Sequence, residues 1–288
     1  MEATVKRWTR AAAALLCSQS FLRGQVHSCY ARIINVRTPA GRLLSLQEDG
    51  YLQSPLSLIL DYDIEALTAT LSPLPDRPVT LYLRHTGAEE WNGHLDPLPS
   101  LPARIWSQIA DALTSWILTH VPERGLAPLL RTQEDCRVAL PPLCRRVSPL
   151  LTPLLQSREG STDSLLHLAH NLIGLGPGLT PSGDDLLLGL LAVLQISGRR
   201  EMLFPAPAQQ AFLHRVKTQT TDLSAEFLRC ALEGNFAEPL AFFIRSLIPG
   251  DPSWPSRAKA LAAVGHSSGV DTLVGIVTGC RLLKISNE

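Results

Sequence analysis

Residues 174–191 read GLGPGLTPSGDDLLLGLL, and they hold the strongest structural signal in the chain. The first eight of them contain three glycines and two prolines, a composition typical of a tight loop. Two adjacent carboxylates follow, and then comes an almost purely apolar run of the kind found in buried helices. The stretch therefore predicts a contorted loop that leads directly into a central helix.

The same pattern returns near the carboxyl end of the chain. Residues 268–277 read SGVDTLVGIV, compared with SGDDLLLGLL at 182–191; we call 182–191 the first copy and 268–277 the second copy. Both follow a glycine-bearing loop, and both have the form S-G-x-D-x-L-x-G. A serine followed three residues later by an acid predicts a capping box at each helix start, where the cap contributes about 0.5–2 kcal/mol.

Each copy also carries a glycine two turns into its helix, at Gly189 and Gly275. A glycine inside a helix costs about 0.5–1 kcal/mol relative to alanine, so close approach of another backbone is the expected reason for it. We therefore expect the two helices to cross near these glycines. Such a crossing would bring their amino ends to one side.

Two converging helix amino ends would favour a small anion, because they carry unpaired N–H groups and a positive dipole end. The acids Asp184, Asp185 and Asp271 would compete for the same donors. Three interpretations therefore stay open: the carboxylates face amide N–H groups of a ligand, they hold a divalent cation, or the two copies are only well-capped core helices. His266, in the loop before the second copy, could donate to an anionic oxygen or move a proton, or be an ordinary polar loop residue.

The composition narrows the class of protein. The 288 residues include 26 basic and 26 acidic side chains, so no net charge favours nucleic acid or an anionic membrane. No run approaches the roughly 18 apolar residues that a membrane span needs. The six cysteines have no C-x-x-C spacing, so no zinc ribbon or redox motif is visible, and so few cysteines in a chain of this length indicate a reducing compartment. Residues 5–20 predict a first helix rather than a signal peptide, and we expect a cytoplasmic protein.

The predicted secondary structure changes from strands to helices at DPLPSLPA, residues 96–103. Before it, strand signals recur at 26–38, 42–47, 56–63 and 77–85. After it, helical signals run over 103–121, 135–156, 162–172, 183–197, 208–233, 237–247, 255–264 and 269–285. The sequence thus predicts an α+β protein: a first domain over 1–98, with a helix and a small antiparallel sheet or barrel, and a larger α-helical domain over 99–288 that carries both copies.

The polar stripe Thr220, Thr221 and Ser224 lies on an otherwise apolar helical stretch. Hydroxyls in such positions bond the helix's own backbone or contact a ligand, and both interpretations stay open.

With these residues in hand, the sequence resembles the AllH-type family. GLGPGLTPSGDDLLLGLL and GHSSGVDTLVGIVTGCRLL resemble its two hallmark segments, and VHS at 26–28 and TTDLSAEFLRCALEGNFAEPL at 220–240 are also similar to family segments. The resemblance implies a subunit of oxamate carbamoyltransferase, which acts with two other carbamoyltransferase subunits in allantoin degradation and purine nitrogen catabolism. The reaction so implied takes oxalurate and phosphate to oxamate and carbamoyl phosphate.

The expected site combines this resemblance with the two loops at 174–185 and 265–272. Asp185, His266 and Asp271 are the expected catalytic residues. The expected substrate-binding residues are Gly176, Gly178, Thr180, Ser182, Asp184, Ser268, Gly269, Thr272 and His27. No cofactor or metal is predicted, although a divalent cation stays open, and the expected partners are the small anionic substrates and the two other subunits, with no nucleic acid and no membrane.

Two alternatives to a catalytic subunit stay open. The chain could be a non-catalytic scaffold subunit of the same hetero-oligomer. It could instead be a metal-dependent hydrolase that uses Asp184, Asp185 and Asp271 with His266.

Overall fold

The computed structural model describes residues 2–16, 20–71, 78–131, 139–156, 162–247 and 250–285. The chain divides into two compact units. The β unit consists of Met1–His94 and Asn235–Glu238, and the helical unit consists of Leu95–Gly234 and Pro239–Glu288. The chain thus passes from the first unit to the second between His94 and Leu95, and it returns briefly for Asn235–Glu238.

The β unit is a closed six-stranded barrel with a seventh strand added. Its strands are β1 (Glu2–Thr9), β2 (Phe21–Tyr30), β3 (Ile33–Arg37), β4 (Leu43–Glu48), β5 (Ser57–Asp61), β6 (Pro78–Arg84) and β7 (Glu89–Trp91), with helices α1 (Arg10–Leu16) and α2 (Ile64–Leu71) between them. The strand order is β5-β4-β3-β2-β6-β1, and pairing of β1 with β5 closes the ring. β1 runs parallel to β6 and to β7, and β4 runs parallel to β5; the other pairings are antiparallel.

Apolar residues paired across neighbouring strands explain why this barrel closes. Leu22 pairs with Leu81, and Leu46 pairs with Leu58. All four side chains are buried, as the alternation of strand side chains requires for a packed interior.

Two predictions about the β unit were wrong in detail. Residues 2–9 form strand β1, whereas the sequence around them predicted a helix, which starts only at Arg10. The strand buries Ala3, Val5 and Thr9, and a bulge between Val5 and Arg7 interrupts its alternation. The predicted strand at 26–38 is two strands, because the chain turns at residues 31–32.

The helical unit begins with α3 (Ala103–His120) and a short 3₁₀ turn at Ala127–Leu130. The helices that follow are α4 (Pro142–Gln156), α5 (Thr162–Leu172), α6 (Ser182–Ile196), α7 (Arg200–Leu203), α8 (Ala206–Gln219), α9 (Asp222–Leu232), α10 (Glu238–Arg245), α11 (Trp254–Ala262) and α12 (Ser268–Ile285). Among the described residues, none of these helices has the length and apolar character that crossing a membrane requires. The α+β class, with a barrel before a helical region, is confirmed.

The helical boundaries also differ from the predicted ones in two places. The single helix predicted at 208–233 is two helices, because the backbone is extended at Thr220 and Thr221 between α8 and α9. The start of the predicted helix at 135–156 lies partly outside the described residues, and α4 begins at Pro142.

Helices α6 and α12 cross in direct backbone contact, as the two glycines predicted. A Cβ atom added to Gly189 would overlap the carbonyl oxygen of Thr272, and one added to Gly275 would overlap the carbonyl oxygen of Leu186. The relation is reciprocal, because Leu186 and Thr272 occupy the same position in the first and the second copy. Every residue of α6 is buried, so this crossing lies at the centre of the helical unit.

A second pair of glycines fixes the start of each helix. A Cβ atom on Gly183 would overlap the carbonyl oxygen of Leu172 at the end of α5, and one on Gly269 would overlap the carbonyl oxygen of Leu261 near the end of α11. Each copy is therefore the second arm of a helix–loop–helix pair whose two arms meet without side-chain spacing.

We expect Gly189→Ala and Gly275→Ala each to lower the free energy of unfolding by about 2–3 kcal/mol, because the added methyl group meets backbone that cannot rotate away. Urea denaturation of the full chain measures the change. The gain in helix propensity, about 1 kcal/mol, works in the opposite direction.

Gly279→Ala is the matched control on the same helix. Its added Cβ would meet the Val193 side chain at 2.8 Å rather than backbone, so we expect a smaller loss. Equal losses for Gly279→Ala and Gly275→Ala would contradict the importance of the backbone contact.

Candidate functional site

The amino ends of α6 and α12 meet, as the crossing predicted. The Thr180 hydroxyl, in the loop before α6, lies 2.8 Å from the hydroxyl of Ser268, the first residue of α12. Thr180 and Ser268 are half-buried, whereas Ser182, Asp185 and Asp271 are buried. The two loops and the two copies thus form one cluster of hydroxyl and carboxyl groups, which we call the paired-helix site.

The predicted capping boxes are wrong. Pro181, not Ser182, occupies the N-cap position of α6, and no side chain caps this helix end. Ser182 and Ser268 are instead the first residues of their helices. Their hydroxyls are therefore free to act on other groups.

Each serine acts on the acid of the opposite copy. Hydrogen bonding from Ser268 lowers the pKa of Asp185, and hydrogen bonding from Ser182 lowers the pKa of Asp271. The S-x-x-D spacing that suggested bonds within one helix therefore serves bonds between two helices. The exchange is possible because the glycine crossing holds the two helix starts side by side.

Burial outweighs these bonds at both acids. Burial raises the pKa of Asp185 to about 8, with a further increase from the nearby charge of Asp271, against the lowering effect of Ser268 and Thr180. Burial also raises the pKa of Asp271, against hydrogen bonds from Ser182, the Leu126 amide and Ser267. At neutral pH the Asp185 carboxyl is therefore largely protonated and able to donate a hydrogen bond.

One oxygen of each acid has no partner among the described residues. These atoms, Asp185 Oδ2 and Asp271 Oδ2, are buried side-chain oxygens without a hydrogen bond. Buried polar atoms nearly always have a partner, and leaving one without a partner costs about 1–3 kcal/mol. Two such atoms at the meeting point of the two helices identify the polar groups that a ligand would satisfy.

The segment before the 3₁₀ turn supports Asp271. The backbone N–H of Leu126 donates to Asp271 Oδ1 at 2.6 Å. Gly125, with φ of 51°, leaves room for this contact, because a Cβ atom there would overlap the same carboxylate oxygen. This segment was not among the predicted site residues, although its Pro–Glu–Arg–Gly composition at 122–125 indicates a loop.

Asp184 has a different role from its neighbour. Its Oδ1 accepts from the Gly174 amide at 2.9 Å, and its Oδ2 accepts from the hydroxyls of Thr220 and Ser224. Burial raises the pKa of Asp184 while these three bonds lower it. Both of its oxygens are therefore engaged by the protein, and this acid accounts for two hydroxyls of the polar stripe, those of Thr220 and Ser224. The third, Thr221, caps α9 and donates to the Leu179 carbonyl.

The helix-start amides are also engaged. In the first copy, the N–H of Gly183 donates to Leu175, and those of Asp184 and Asp185 donate to Pro181. In the second copy, the N–H of Gly269 donates to Val264. These four of the donors expected to hold an anion are thus used within the loops and the first helical turn.

The remaining expected residues of the helical unit lie in the two loops and at the start of α12. Gly176 and Gly178 lie in the loop before α6 with φ of 126° and 98°. Thr272 bonds the carbonyl of Ser268 within its own helix, and Gly269 packs against α11. The His266 side chain is exposed, while its carbonyl accepts from Arg124 Nε and Nη2 at 3.1 and 2.5 Å.

His27 lies in the β unit, away in sequence from both copies. A β-bulge interrupts the pairing of β2 with β3 between Val26 and Ser28. The His27 Nδ1 atom bonds the Ser28 hydroxyl at 3.0 Å, and Ser28 also accepts from Asn35. Within the described ranges, no group of three or more His, Cys, Asp or Glu side chains is arranged to hold a metal ion.

The raised pKa of Asp185 predicts how the stability of the protein depends on pH. Between the ordinary value of 3.8 and about 8, the folded protein holds a proton that the unfolded chain has lost. Stability therefore falls as pH rises through this window, by at most about 1.4 kcal/mol per pH unit for one proton. We expect Asp185→Asn to flatten this fall, as measured by urea denaturation between pH 5 and pH 8.

Asp163→Asn, an exposed acid at the start of α5, is the control and should keep the wild-type pH profile. A profile for Asp185→Asn that runs parallel to that of the wild type would show that Asp185 ionises normally in the folded protein.

Comparison with known proteins yields two matches in separate parts of the chain. Residues 172–280 match the family described as oxamate carbamoyltransferase subunit AllH, and residues 4–86 match the AllH family N-terminal domain. The first match contains both copies, and the second extends from within β1 to just after β6. No solved structure matches the chain. Because the two matches together span about two thirds of the residues, this chain belongs to the AllH family of oxamate carbamoyltransferase subunits.

Proposed function

We propose that this chain takes part in carbamoyl transfer between oxalurate and phosphate, giving oxamate and carbamoyl phosphate, in allantoin and purine nitrogen catabolism. The family description supports a carbamoyltransferase subunit. The paired-helix site is the place in the chain where the required groups occur together. In this proposal the chain acts together with the two other subunits of the enzyme.

The observation that carries the proposal is the pair of buried carboxyl oxygens without partners, at Asp185 and Asp271. Oxalurate carries a carboxylate and a ureido group, so it offers both anionic oxygens and N–H donors. A protonated carboxyl donates to an anionic oxygen, and an ionised carboxylate accepts from an N–H group. Because burial and mutual repulsion favour one proton on the pair, the two acids provide one group of each kind.

The atoms and protons of the carbamoyl transfer from oxalurate to phosphate balance in this arrangement. A phosphate oxygen attacks the terminal ureido carbon, and the bond from that carbon to the oxamate nitrogen breaks. The leaving nitrogen takes a proton from Asp185, and the attacking hydrogen phosphate returns one to it. Asp271 holds the carbamoyl N–H groups, and the one hydroxyl hydrogen of the Thr180–Ser268 pair that is not used between them turns to the oxygen that gains charge.

We expect Asp185→Asn to lower turnover more than tenfold in the complex reconstituted with the two other subunits. Asparagine keeps the size of the side chain but cannot supply the proton, and general acid–base groups contribute about 10²–10⁴-fold. Turnover of oxamate and carbamoyl phosphate is the measurement, and the melting temperature at pH 6 should move little. Asp163→Asn should leave both unchanged.

Full activity of Asp185→Asn would remove the paired-helix site from the mechanism. Calorimetry with oxamate and with carbamoyl phosphate then separates the remaining possibilities. Binding to the complex that survives Asp185→Asn and Asp271→Asn together would assign a scaffold role to this chain.

A further inference from the structure

A groove in the helical unit lies outside the paired-helix site. It has a volume of about 550 Å³ and is lined by residues of α3, of the segment after it and of α11. The lining residues are Trp116, His120, Val121, Arg124, Pro255, Ser256, Lys259, Ala262 and Ala263. This volume falls within the roughly 300–1,000 Å³ of small-molecule sites.

The charged groups of this groove are all basic. Arg124 and Lys259 line it, and no carboxylate does. Among the described residues, neither cation forms an ion pair. A second cavity, of about 470 Å³, is lined mainly by apolar residues with Gln108, Ser246 and Asp251, and by no cation. The two cavities therefore suit different ligands, and only the first suits an anion.

An aromatic wall and a histidine complete the groove. The rings of Trp116 and His120 stack with centroids 4.6 Å apart. His120 Nδ1 lies 2.8 Å from the Trp116 carbonyl oxygen, and since a carbonyl only accepts, Nδ1 is the donor. The other ring nitrogen, Nε2, is then an acceptor in the neutral ring, so it would contact a phosphate through a P–OH hydrogen.

Arg124 connects the groove with the paired-helix site. Its Nε and Nη2 atoms donate to the carbonyl of His266, and its Nη1 atom is not used in this contact. The charge of Arg124 also lowers the pKa of Asp271. An anion bound to Arg124 would therefore act on both the loop before α12 and the acid behind it.

We propose that this groove binds a small phosphate-bearing anion, with Arg124 and Lys259 as its charge partners and His120 as a third polar contact. The shape, the two cations without an ion pair among the described residues and the absence of carboxylates from the lining support the assignment. The groove shares no lining residue with the predicted catalytic or substrate-binding residues, so the proposal does not depend on the proposed function. Trp116 beside the ligand provides an optical reporter.

Titration of the full chain with inorganic phosphate, followed by calorimetry, is the test. We expect saturable binding with a Kd of about 1 mM or below. Lys259→Met should weaken it about tenfold, and Lys259→Arg should largely restore it, because charge-assisted hydrogen bonds are the strong ones. Lys217→Met, an exposed lysine on α8, is the matched control and should leave the affinity unchanged.

Two further measurements locate the ligand and identify its chemistry. Phosphate should quench tryptophan fluorescence in the wild type, and Trp116→Phe should remove the quenching while calorimetric binding persists. Oxamate, which carries one carboxylate, should bind more weakly than phosphate here; equal affinity would mean that the groove recognises carboxylates and would overturn the phosphate assignment.

Absence of saturable phosphate binding, or equal loss in Lys259→Met and Lys217→Met, would also overturn it. Asp185→Asn keeps the two proposals apart. It should abolish most of the turnover without changing phosphate affinity measured in the isolated chain.

Discussion

The backbone contact between α6 and α12 is the constraint on which the candidate site depends. At Gly189 and Gly275 the two helices approach so closely that no side chain fits between them. Helices in ordinary packing lie about 8–10 Å apart, a separation at which the short hydroxyls of Ser182 and Ser268 would not reach the opposite acid. The close crossing therefore turns two separate helix starts into one polar cluster inside an apolar core.

Three buried acids in such a core are costly, and the structure offsets this cost only in part. Asp184 is fully hydrogen-bonded, because three groups of the protein donate to its two carboxylate oxygens. Asp185 and Asp271 are only partly hydrogen-bonded, because each has one oxygen without a partner among the described residues. The difference between these aspartates separates an acid whose oxygens the protein satisfies from two acids that it satisfies only in part.

Much of this arrangement could be predicted from the sequence, but its bonding could not. The repeated pattern and its internal glycines predicted the crossing and the convergence of the helix starts. The capping boxes were wrong because the same spacing suits bonds within a helix and bonds between helices. Strand β1 was missed because basic residues masked its alternation, and the contact of Gly125 with Asp271 joins segments that no local pattern relates.

The exchange of hydroxyls between the two copies has a consequence for the history of the sequence. Each acid accepts a hydrogen bond from a serine that lies far away along the chain. The sequence of one copy therefore cannot change independently of the other. A substitution of the serine or the acid in one copy would first remove a hydrogen bond to the other copy. A compensating substitution would therefore have to occur in that other copy. Related chains should therefore change the two motifs together or keep both.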